Sequence, residues 1–112
     1  MEVIAAVLPV LLLVTGIVVE LAARGALRRN PLAGIRTVAT MRSDATWAAA
    51  HRSASAVVWG GFAASVVAAV VSFAGGVIVS TVGAIAAAII FVLTAVIALV
   101  VANRAARAST SS

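Results

Sequence analysis

Residues 53–102 read SASAVVWGGFAASVVAAVVSFAGGVIVSTVGAIAAAIIFVLTAVIALVVA, from Ser53 to Ala102 without one charged side chain. Roughly fifty apolar residues are too many for one crossing of a bilayer and suit two crossings joined by a tight turn. Gly75-Gly76 and Ser80-Thr81 are the available turn formers. The spans are therefore expected at about residues 56–73 and 82–102. A third apolar run, Val3–Ala23, is also long enough to cross the roughly 30 Å hydrocarbon core. It is not read as a signal peptide. Such a peptide opens with basic residues, whereas this chain opens Met1-Glu2 and has its basic residues after the run. Pro9 is expected to kink it, which a membrane helix tolerates.

The arginines fix the orientation. Six lie between Arg24 and Arg52 and two at Arg104 and Arg107. Basic residues are retained on the cytoplasmic side, so both clusters belong there. Three spans satisfy this with the N-terminus out and the C-terminus in, whereas two spans would put one cluster outside. The expected fold is an all-α integral membrane protein with three transmembrane helices and a structured cytoplasmic loop between the first two, over residues 24–52. The whole chain forms a single membrane domain, with a disordered tail at residues 108–112. The expected location is the bacterial cytoplasmic (inner) membrane, as a multi-pass protein.

Composition agrees. Of 112 residues, 64% are hydrophobic and 10% charged, with net charge +5 and mean hydropathy +1.25. A soluble domain of this length could not hide so much apolar surface. The excess of arginine is explained by retention beside the spans, so no direct nucleic-acid partner is expected. Cysteine is absent, which removes thiolate and disulfide chemistry. One histidine and three carboxylates on distant segments make no persuasive metal site. No nucleophile elbow and no phosphate loop is present. The chain is read as a non-enzyme without a cofactor.

Small residues recur at helical spacing. Gly60, Ala64, Ala68 and Ser72 form one ladder, and Gly61, Ser65 and Ala69 form another. Such ladders allow close helix approach in lipid, within the chain or to another copy. An alanine-rich composition also produces them by chance.

The chemistry is concentrated in the loop. Pro31 ends any helix running on from the first span, and Gly34 permits a left-handed backbone. Ser43 reads as an N-cap, with Asp44 near the positive end of a helix that runs on into the second span. On that helix Asp44, Trp47, His51 and Ser55 share a face. An ordinary amphipathic lead-in would explain the same stripe, with Trp47 in the headgroups and His51 solvated. The alternative is a loop folded back as a compact cap, with Trp47 beneath Gly34-Ile35, because unpaired polar groups entering a membrane are costly. Glu20, near the end of the first span, has two candidate partners. One is Arg24 at i+4. The other is an ion pair with Arg36, which would pin the loop. Arg36 is expected to make a bidentate contact to Asp44 or Glu20.

The run Asn30-Pro31-Leu32-Ala33-Gly34-Ile35-Arg36-Thr37-Val38-Ala39-Thr40-Met41-Arg42-Ser43-Asp44-Ala45-Thr46-Trp47, followed by Ala50-His51-Arg52, resembles the SdpI family of small bacterial membrane proteins. Asn30, Gly34, Ile35, Arg36, Thr37, Thr40, Ser43, Trp47 and His51 match its motif, and Asp44 takes the place of the usual acidic residue. Ala39 stands where the family often has an aromatic. The resemblance implies a role like that of the family's namesake, which gives immunity to a secreted membrane-active toxin and signals by holding a repressor at the membrane. It also implies that the loop engages a partner, another membrane or cytoplasmic protein. Competing readings are an accessory subunit of a larger membrane complex, a homo-oligomer, a holin-like pore former, and a small drug exporter. The exporter type has four spans and a carboxylate deep in the first.

Overall fold

A computed structural model describes residues 2–111. It contains three helices, α1 (Glu2–Ala23), α2 (Asp44–Ala74) and α3 (Val77–Ser111). All three are long and apolar enough to cross a membrane. They form a rod of 53 × 22 × 19 Å. α2 lies between the other two, and α1 and α3 touch each other far less than either touches α2.

The helices differ in length for a physical reason. α1 has 22 residues, close to the minimum for a crossing, whereas α2 has 31 and α3 has 35. At 1.5 Å per residue α1 just spans the roughly 30 Å hydrocarbon core, and the longer two exceed it by several turns. Ser55 lies beside Glu20 of α1, so only the start of α2, from Asp44 to about His51, and the residues from Asn103 onward on α3 project past the end of α1. The loop between α1 and α2 packs into that space. The tail expected to be disordered from Ala108 is instead the last part of α3, through Ser111. The Ala-Ala-Arg-Ala run at 105–108 consists of good helix formers and gives the helix no stop signal. Ser112 lies outside the described residues.

α1 is continuous through Pro9 and buries one stripe: Ala5, Pro9, Leu12, Gly16, Val19 and Ala22. Its other faces carry Val, Ile and Leu outward, as suits a helix solvated by lipid. It stops because Gly25 takes φ +82, with the amides of Ala26 and Leu27 both reaching back to the Leu21 carbonyl at 2.9 and 3.0 Å. A glycine just past a helix end closes it at little strain. The helix thus ends well before Pro31.

The α2–α3 turn is at Gly75 and Gly76, and Ser80-Thr81 lies inside α3. A Cβ on Gly75 would sit 2.4 Å from the Val79 side chain, so the tight return needs glycine there. Ser72 Oγ donates to the Ser80 carbonyl at 2.9 Å and ties the hairpin. Below it the seam combines the two ladders read from the sequence. Gly61, Ser65, Ala68 and Ser72 face α3, while Gly60 and Ala64 face outward. At Gly61 a Cβ would lie 2.1 Å from Thr94 Oγ1, and at Gly83 one would lie 2.8 Å from the Ser72 backbone. The backbones can approach this closely only because both positions lack a side chain.

Candidate functional site: the folded loop

The loop adds a layer of its own to the bundle. Ala39 is buried with Val19 of α1, Ala50, Ala54 and Val58 of α2, and Ala98, Ala102 and Ala106 of α3, and Ile35 packs against the same cluster. The loop thus closes over all three helices. The small Ala39 side chain fits against a wall of alanines.

Three local devices shape the backbone. First, the Asn30 Oδ1 accepts from the amides of Leu32 and Ala33 at 3.0 and 2.7 Å, while its Nδ2 donates to the Arg28 carbonyl at 2.8 Å. This is an Asx turn, which an asparagine side chain imposes by mimicking backbone. Second, Thr40 Oγ1 accepts from the Thr37 amide at 2.8 Å and donates to the Ile35 carbonyl at 2.7 Å. Met41 N–H closes the same turn onto the Thr37 carbonyl at 3.0 Å. Third, Ser43 caps α2. Its Oγ accepts from Thr46 N–H at 3.1 Å, and Thr46 Oγ1 accepts from Ser43 N–H at 2.9 Å. This reciprocal box satisfies two of the amide donors that a helix start leaves open.

The centre of the site is Trp47 and His51, packed ring against ring at a 44° tilt with centroids 4.2 Å apart and 2% and 0% exposed. Trp47 Nε1 donates to the Leu27 carbonyl at 2.9 Å, which satisfies the indole's one polar atom. His51 Nδ1 lies 2.7 Å from the Trp47 carbonyl and its Nε2 accepts the Ile35 amide at 2.9 Å. A carbonyl can only accept, so Nδ1 carries the proton and Nε2 offers its lone pair. The imidazole is therefore neutral and bridges helix to loop. Gly34, at φ +100, lies directly over the two rings. A Cβ there would be 2.6 Å from Trp47 Cη2 and 3.0 Å from His51 Nε2.

The charged residues pair differently from the sequence expectation. Asp44 is bound by Arg29 at 3.0 Å, and Arg29 Nη1 also donates to the Met41 carbonyl at 3.0 Å. Glu20 is bound by Arg24 at 2.9 Å and by the Ser55 hydroxyl. Both carboxylates expected for Arg36 are thus engaged elsewhere, and its guanidinium turns to the Pro31 carbonyl. The Glu20–Arg36 ion pair is not formed. Arg24 is one helical turn from Glu20, so that pair forms with little ordering cost.

Asn103 and Leu27 complete the site. Thr37 Oγ1 donates to Asn103 Oδ1 at 2.7 Å and ties the loop to α3. From the sequence Asn103 reads only as the polar end of a span. Leu27 acts through its backbone, which side-chain patterns do not reveal. Among the described residues no cluster of His, Cys, Asp or Glu could hold a metal.

The SdpI/YfhL protein family's sequence model matches residues 26–103. The chain belongs to the SdpI/YfhL protein family. The match begins just past α1 and ends at Asn103, the α3 residue that holds Thr37, so it takes in the cap, all of α2 and α3 as far as Asn103. No curated protein and no solved structure matches the chain. The family assignment and the three long apolar helices together describe a multi-pass membrane protein of the SdpI/YfhL family.

Proposed function

We propose that the chain is a non-catalytic protein of the bacterial cytoplasmic membrane whose cytoplasmic cap, residues 26–47, docks another protein. The observation that carries this is a contrast within the cap. Its interior is fixed by buried rings and by paired hydrogen bonds, yet Leu32 and Val38 are 86% and 85% exposed. Large apolar side chains held outward on an ordered scaffold lose little entropy on binding, and this preorganisation favours an interface. Arg28 and Arg42 lie near them in sequence, which suits a partner surface with apolar and acidic character. The arginine distribution supports an inside position for the cap. Immunity or signalling, as the family resemblance implies, would use this same surface.

A photoreactive amino acid at Leu32 or Val38 tests the reading in native membranes. The expected result is one discrete protein adduct that disappears when Gly34→Ala unseats the cap. Adducts to lipid alone, or a protein adduct indifferent to Gly34→Ala, would sink it.

A second reading, an accessory subunit or a homo-oligomer, is favoured by one feature. Gly60 and Ala64 lie on the outward face of α2, and a Cβ on Gly60 would meet nothing within 4 Å. Another helix could pack there. A pore former has less support, because the outward faces of the helices are lined by Val, Ile and Leu.

A further inference from the structure

α1 and α3 touch each other sparsely beside α2 and leave a cleft of about 280 Å³. Leu12 of α1, Val58 of α2, and Phe91, Ala95 and Ala98 of α3 line it, and Ile35 and Arg36 of the loop close one end. The lining is almost wholly apolar. Most of the cleft's walls belong to the three long apolar helices, so an empty cleft would forfeit dispersion contacts along them. At the loop end sits a guanidinium without a counter-charge. The chain has three carboxylates. Glu20 is held by Arg24 and Asp44 by Arg29, while Glu2 is at the far end of α1. Among the described residues, Arg36 has only the neutral Pro31 carbonyl.

We propose that this cleft holds an acyl chain of an anionic phospholipid from the leaflet at the loop end, with the lipid phosphate on Arg36. The guanidinium fork matches a phosphate in the bidentate manner that a single ammonium cannot reproduce. The apolar walls take the chain, and the charge selects the headgroup. Neither part alone explains an arginine placed at the mouth of a hydrocarbon-lined cleft.

The test uses the full chain in detergent, titrated separately with phosphatidylglycerol and with phosphatidylcholine of the same acyl chains. Native mass spectrometry counts the lipid retained. The expected result is one retained phosphatidylglycerol, at a preference of roughly fivefold over phosphatidylcholine, the worth of one basic residue at an anionic surface. Arg36→Gln should abolish the preference and Arg42→Gln should keep it. Arg36→Lys should leave a reduced preference, and shielding of Trp47 from iodide confirms that each variant retains the cap. Ala95→Leu, which fills the cleft, should lower retention of both lipids. Equal retention of the two lipids by the unaltered protein would overturn the proposal. So would a preference that survives Arg36→Gln, or full competition by glycerophosphoglycerol, the headgroup without chains.

Discussion

Replacing Gly34 with alanine should lift the loop off α2. The new methyl group would lie 2.6 and 2.9 Å from Trp47 Cη2 and Cζ2, far inside contact distance. The indole has little room to retreat, because its Nε1 is held by Leu27, its ring packs against His51, and the side chain is fully buried. A non-glycine residue at positive φ costs about 1–2 kcal/mol. Overpacking a filled site costs about 1–3 kcal/mol more. The sum is roughly 2–5 kcal/mol against the closed cap, and about 3 kcal/mol would shift the closed-to-open ratio roughly 150-fold. Trp47 fluorescence in a Trp59→Phe background reads this out. The closed cap gives blue-shifted emission that iodide quenches poorly, and Gly34→Ala should give red-shifted, readily quenched emission. Gly60→Ala is the matched control and should change nothing. Unaltered shielding of Trp47 in Gly34→Ala would refute the reasoning.

Other perturbations should rank by what they leave unpaired. His51→Phe keeps a ring but removes the acceptor for the Ile35 amide, so the cap should weaken by about 1–3 kcal/mol, read as faster hydrogen exchange at Ile35. Arg29→Gln breaks an exposed pair, worth about 0.5–1 kcal/mol, and should raise protease sensitivity near Met41 more than Arg42→Gln does. Gly61→Val drives a side chain into Thr94 and should lower the melting temperature in detergent, while Gly60→Val should not. Reporter fusions at Ser112 and near Met41 should both register on the cytoplasmic side, and a periplasmic signal at either would overturn the proposed orientation.

The helices were legible because their signal is compositional. A charge-free stretch from Ser53 to Ala102 has few alternatives to a hairpin in lipid, and the arginines bracket it. The turn narrowed only to two pairs, because glycine and serine are both turn formers. The Gly75–Val79 approach decides between them, and no local pattern contains it. The small polar residues at the end of the chain read as a tail, whereas alanine and arginine carry α3 through Ser111. In the loop, spacing placed Asp44, Trp47, His51 and Ser55 on one face and identified Ser43 as a cap. It pointed to Arg36 as the partner of Asp44 or Glu20, whereas Arg29 holds Asp44 and Arg24 holds Glu20, since several long side chains near one another in sequence can all reach. Arg29 prevails through its second bond, to the Met41 carbonyl. The tie between Thr37 and Asn103 joins residues 66 apart in the chain and has no sequence signature. The small-residue seam was visible as two ladders, but only packing shows that α3 uses Gly61, Ser65, Ala68 and Ser72 and leaves Gly60 and Ala64 free.

The account depends most on the histidine bridge, since it locks the loop to α2 and so gives Leu32 and Val38 a rigid base. A long-range proton–nitrogen NMR spectrum of His51 in the detergent-solubilised protein tests it directly. The structure predicts one tautomer, protonated at Nδ1, with a bare Nε2 that shows a through-bond coupling to the Ile35 amide nitrogen. A protonated Nε2, or averaged imidazole nitrogens without that coupling, would mean that the cap is not closed and would contradict the account.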